Sequence, residues 1–113
     1  MPHPILNEAE ALERLDDKEF LKELLQDFSK LKELDWSVFE QRFKGKDYKA
    51  IEEISHTLKG VSGNLSLTGI FQASKALNDT IKLGETEFIN RYFEELKIEV
   101  ERFRNWLDGY LKS

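Results

Sequence analysis

The sequence predicts an all-α protein, an antiparallel up-down-up-down four-helix bundle with a short additional helix at its N-terminus. Three observations predict it. Both prolines stand at positions 2 and 4, so residues 5–113 lack the strongest helix breaker. Apolar residues recur at steps of three and four rather than alternating with polar ones, which is the helical period. Gly45, Gly69 and Gly84 divide that pattern at helix boundaries, and the short connections they leave make antiparallel neighbours.

The elements follow in order. Asn7 with Glu10 three residues later is a capping-box arrangement, opening a short helix over about 8–15. A stripe of Phe20, Leu21, Leu24, Leu25, Phe28, Leu31, Val38, Phe39 and Phe43 predicts a first bundle helix over about 17–43, either unbroken or bent near "LDWS", with Gly45 supplying its stop. Further helices are expected over about 47–65 and 68–83, the latter closed by Gly84. Phe88, Ile89, Tyr92, Phe93, Leu96, Val100, Phe103 and Leu107 define the last, over about 86–111.

A chain of 113 residues suits a single domain with one core, residues 1–113. Its 22 acidic against 17 basic residues give a net charge of −5, which argues against nucleic acid or an anionic membrane as partner. There is no cysteine, so neither disulfides nor thiolate metal sites hold the fold, and a reducing cytoplasm fits. No apolar run approaches the roughly 20 residues of a membrane span, and "MPHPILNEAEAL" lacks the features of a secretory signal. The expectation is a soluble, unprocessed cytoplasmic monomer.

The stretch "SHTLKGVSGN", residues 55–64, carries two glycines inside a helical pattern. At about 100° per residue, Ile51, Ile54, Leu58, Val61 and Leu65 share one apolar arc, and His56 lies nearly opposite it. Gly60 and Gly63, at i+4 and i+7 from His56, continue the outward stripe, with Lys59 at its flank. Each glycine inside a helix costs about 0.5–1 kcal/mol relative to alanine. Gly60 could simply end the helix, but Val61 and Leu65 keep the period; close helix packing is the other plain use, but both glycines point away from the apolar arc. An external partner approaching the backbone beside His56 remains.

His56 itself could be an idle surface histidine. A metal site needs companions, and the other histidine is His3, so no metal is expected. No second histidine could serve as base in a hydrolytic triad, and acid–base catalysis favours a concave pocket over a convex surface. An exposed histidine suits a partner that brings its own site.

"SHTLKGVSGNLSL" closely resembles the H-x-L-K-G signature of the histidine-containing phosphotransfer (HPt) domain, the relay module of multistep two-component signalling. The resemblance spans most of the chain, through the lead-in "PILNEAEALERLDDKEFLKELLQDF" and the approach "KGKDYKAIEEISHTLKG". It implies that His56 accepts a phosphoryl group from the aspartyl phosphate of a receiver domain and passes it to another. Receivers of response regulators or of a hybrid sensor kinase are the implied partners. The receiver brings the Mg²⁺ and most catalytic groups, so no cofactor is expected on this domain and no autonomous kinase activity. Neutral imidazole, with an ordinary pKa of about 6.5, is a competent nucleophile for this step.

In this resemblance Lys59 would hold phosphoryl oxygens and Gly60 would leave room for the receiver's loops. If the hairpin turns near residue 67, Asn78 lies level with His56 and Lys82 one turn beyond. Family members commonly have glutamine or glutamate where Asn78 stands, so this shorter amide reaches the imidazole directly or through water. Lys82 is a phosphate-binding group or an ordinary solvated lysine, and Ser66 replaces a usual glycine after "GNL". A sensor-kinase dimerisation helix fits poorly, because its signature runs His-Glu-x-Arg/Lys-x-Pro and here no proline follows His56. The alternative from another class is a helical interaction domain that binds a receiver or other partner without phosphotransfer.

Overall fold

A computed structural model describes residues 4–113; His3, weighed above as a second histidine, lies outside the described residues. The described residues form helices α1 (Glu8–Leu15), α2 (Lys18–Phe28), α3 (Trp36–Lys44), α4 (Tyr48–Asn64), α5 (Thr68–Lys82) and α6 (Ile89–Leu111). Two 3₁₀ turns, Lys32–Leu34 and Thr86–Phe88, lead into α3 and α6. No strand occurs among the described residues. The class is the helical bundle expected.

The first bundle helix does not run through 17–43. It breaks between Ser29 and Asp35, a correction to the unbroken alternative and a sharper departure than a bend. Two side chains compete with the helical backbone there. The Ser29 hydroxyl donates to the Gln26 carbonyl at 2.6 Å, in the last turn of α2. The Asp35 carboxylate then accepts from the Ser37 N–H at 3.1 Å and hydroxyl at 2.6 Å, capping a fresh helix. Those two bonds, the hydroxyl first, hold the Asp35 carboxyl below its ordinary pKa. Between the two ends the 3₁₀ turn carries Leu34 into the core, where it is buried.

Despite the break, α2 and α3 keep one direction against α6. Phe28 of α2 meets Phe103 edge-on at 5.4 Å, and Phe39 of α3 stacks on Phe93 at 3.9 Å, so α6 recedes as the first pair advances. Helices α4 and α5 also run antiparallel, with Asn78 against Glu52 and Phe71 against Gly63. Leu25, Ile51, Leu58, Leu77, Leu96 and Val100 fill the centre with no solvent exposure. Ile5 and Leu12 pack partly buried against this core.

The three glycines fall at helix boundaries as expected, Gly45 as the C-cap residue of α3, but among them Gly84 alone takes the left-handed conformation. Gly45 has φ −79°, and the left-handed residue after α3 is Lys46 at φ 57°. Gly69 is the second residue of α5 and is buried. Gly84 does close α5 in the left-handed region, at φ 73°. The last helix begins at Ile89, its expected first turn over 86–88 being 3₁₀.

Only half of the capping box forms. Asn7 Oδ1 accepts the Glu10 N–H at 3.2 Å, but the Asn7 N–H donates to the Ser66 carbonyl at 2.9 Å, across the α4–α5 turn. Glu10 likewise accepts from the Ser66 hydroxyl at 2.8 Å. Arg14 completes this junction: its guanidinium donates to the Asn64 carbonyl at 2.9 Å, the Gly63 carbonyl at 3.2 Å and the Ser66 hydroxyl. A cation thereby satisfies the carbonyl end of α4, where the helix dipole is negative. Arg14→Ala should lower stability by about 1–2 kcal/mol in urea unfolding; a loss within the usual surface range of about 0.5 kcal/mol would mean water replaces the guanidinium.

Candidate functional site: the outward face of helix α4

Helix α4 starts at Asp47, whose carboxylate accepts the Ala50 N–H at 3.2 Å, and runs through both internal glycines to Asn64. Gly60 therefore does not end the helix. Ile51, Ser55, Leu58 and Ser62 are buried along one side of α4, and His56 is exposed on the other. Lys59, one turn beyond His56, is half-buried. Its backbone is held in place by the Ser62 hydroxyl, which donates to the Lys59 carbonyl at 3.2 Å.

The two glycines differ. A Cβ built on Gly60 meets no atom within 4 Å, so the backbone beside His56 is open to anything that approaches from outside. A Cβ on Gly63 would stand 3.1 and 3.2 Å from ring carbons of Phe71 in α5. The expectation that Gly63 continues the bare stripe is therefore corrected: it is a close-packing glycine at the α4–α5 turn, and its carbonyl is bonded by Arg14. The helical wheel gave its direction, but could not show that α5 and α1 cover that direction near the helix end.

Asn78 also stands elsewhere than expected. It is fully buried, and its Nδ2 donates to the Glu52 carbonyl at 3.1 Å and to Ser55 Oγ at 3.0 Å. The amide nitrogen is spent beneath the helix, not on the imidazole. With Asn78 set against residues 52 and 55, the antiparallel count puts residues 74–77 level with His56. Exposed Lys82 then lies about 10 Å along the axis from His56, at a rise of about 1.5 Å per residue. Lys75 is level with the histidine and was missed in the sequence; it pairs with Asp79 at 2.9 Å, an i,i+4 spacing that reads as an ordinary solvated pair.

On the other flank of α4 a cleft of about 520 Å³ opens toward α3, lined by residues including Glu33, Val38, Arg42, Glu53 and Thr57. His56 is not among its walls and is exposed. Among the described residues no group of three or more His, Asp or Glu side chains is gathered at metal-binding range.

A model of the Hpt domain family matches residues 10–106, nearly the whole chain and the whole of α4. The chain belongs to the Hpt domain family. No curated protein matches the chain, and no solved structure does. Hpt domains serve phosphorelays through histidine phosphotransfer, acting as carriers rather than as autonomous enzymes, and they interact with receiver domains. In this Hpt domain no helix among the described residues is long and apolar enough to cross a membrane.

Proposed function

We propose that His56 accepts a phosphoryl group from the aspartyl phosphate of one receiver domain and passes it to the aspartate of another. The observation that carries this reading is an exposed histidine one turn from a helical glycine with open space around it. The imidazole lone pair forms the N–P bond while the acyl-phosphate P–O bond breaks, and its electron pair leaves on the receiver's carboxylate. The reverse exchange on a second receiver restores free imidazole. Such a step depends mainly on alignment and on charge around the phosphoryl oxygens. Lys59 is the cation nearest along α4 and stabilises those oxygens by charge-assisted hydrogen bonds.

The Mg²⁺ and the remaining catalytic groups come with the receiver, whose docking needs a clear surface. Gly60 provides it. Gly60→Gln should leave the fold intact or slightly more stable, because glutamine favours the helix, yet slow transfer by about tenfold or more by standing in the receiver's path. Unchanged transfer would remove the clearance argument. We place the domain in the cytoplasm as a monomer, because one exposed face serves both receivers in turn.

The decisive experiment incubates the protein with a phosphorylated receiver and Mg²⁺, then chases with a second, unphosphorylated receiver. Acid-labile, alkali-stable phosphate should appear on this chain and then leave it for the second receiver. If receivers bind and no phosphate crosses, the domain is a binding module.

A further inference from the structure

Beneath the exposed turn of His56, α4 and α5 meet through four polar side chains with no solvent exposure: Ser55, Ser62, Ser74 and Asn78. The Ser55 and Ser62 hydroxyls donate to carbonyls of their own helix, Ser55 to Glu52 at 3.0 Å and Ser62 to Leu58 at 2.6 Å. Asn78 crosses between the helices. Its Nδ2 gives hydrogen bonds to the Glu52 carbonyl and to Ser55 Oγ, at 3.1 and 3.0 Å. A carbonyl can only accept, so nitrogen must be the atom that faces Glu52, and the Asn78 Oδ1 is left without a protein partner.

The Glu52 carbonyl is a particular one. Within α4 it is the acceptor for the backbone N–H four residues on, which is that of His56. Asn78, Ser55 and the His56 backbone therefore converge on a single oxygen, and the turn that presents the histidine is tied to α5 at that point.

A buried amide with an unpartnered oxygen is a poor way to gain stability, since an apolar side chain would leave nothing unsatisfied. It is a good way to fix register, because sliding α5 by one residue strips the nitrogen of both acceptors. We propose that Asn78 is a positioning residue for phosphoryl transfer: it locks the Glu52–His56 turn of α4 against α5 and so sets the height and angle at which a receiver's aspartate meets His56. This rests on the receiver-transfer reading of His56, and gives Asn78 a role beneath the histidine rather than on the phosphoryl group.

Two variants test it, Asn78→Leu and Ser55→Ala, with three measurements: thermal unfolding, hydrogen exchange of the His56 backbone amide by NMR, and phosphorylation of His56 from two donors. One donor is a phosphorylated receiver; the other is phosphoramidate, whose P–N bond breaks to release ammonia as the imidazole N–P bond forms, with no docking required. Asn78→Leu should unfold no earlier than wild type, exchange the His56 amide about tenfold faster, and accept from the receiver about ten- to a hundredfold more slowly. Its rate with phosphoramidate should stay within about twofold, because an unaligned small donor does not sense register. Ser55→Ala, which removes one acceptor and adds a better helix former, should move the same readouts in the same direction by less.

Unchanged receiver transfer in both variants would overturn the proposal, as would an equal fall with both donors, which would mean that the amide acts on the imidazole itself. Failure of Asn78→Leu to fold would also count against it, since stability would then be the amide's use; Ser55→Ala supplies the same comparison in a folded protein. If the wild type accepts phosphate from phosphoramidate but from no receiver, the transfer reading fails, while the exchange rates still decide whether Asn78 holds the turn.

Discussion

His56→Gln should reduce phosphate uptake from a phosphorylated receiver to background while leaving the helical circular dichroism and the unfolding midpoint where they were. The two halves of that expectation have separate causes. His56 is exposed on α4, so its replacement removes nothing from the core, and surface changes of this kind stay within about 0.5 kcal/mol. Glutamine also suits a helix interior at least as well as histidine does. Chemically, the amide has no lone pair of comparable nucleophilicity, and no other histidine occurs among the described residues. Lys59→Ala, by contrast, should slow uptake only in part, because it removes charge stabilisation and leaves the acceptor in place. Full labelling of His56→Gln would mean that another residue carries the phosphate.

The largest effect on stability is expected from Phe103→Ala. Phe103 has no solvent exposure and stands edge-on to Phe28 at 5.4 Å, joining α2 to α6. Its loss removes apolar burial, leaves a cavity and forfeits an aromatic pair, which together cost about 3–5 kcal/mol. For a domain of this size that is a large share of the whole stability, and it corresponds to a midpoint lowered by about 15 °C or more. Urea or thermal unfolding measures it directly. A loss under about 1 kcal/mol would mean that α2 does not contribute to the core as the Phe28 contact implies. Where the variant remains folded, His56 should still accept phosphate, because the damage lies across the bundle from α4.

Much of the fold was legible because burial imposes the helical period: the stripes of α4 and α6 each mark the side that meets a neighbour. The break between Ser29 and Asp35 was harder to see, since Leu31 and Leu34 keep the apolar spacing while the backbone leaves the helix. Its cause was present as Asp35 two residues before Ser37, an ordinary helix start hidden inside a continuing stripe. At the candidate site the wheel located His56 and Gly60, whose surroundings are solvent. It misjudged Gly63, which Phe71 covers, and the hairpin count could not show that Glu52 and Ser55 draw in the Asn78 amide. A wheel assigns direction along one helix; what occupies that direction depends on the register between two.

The Arg14 junction bears on how the chain assembles. It joins groups 49 to 52 residues apart in sequence, whereas α4 and α5 are separated by residues 65–67 alone. Closing the short hairpin costs little chain entropy, and closing the long one costs more before any contact rewards it. The hairpin that carries His56 is thus expected to close before the long-range Arg14 junction, with that junction acting as a late clasp. Loss of the clasp should therefore quicken unfolding far more than it slows folding, with the histidine's own helix pair outlasting the N-terminal helix when the domain opens.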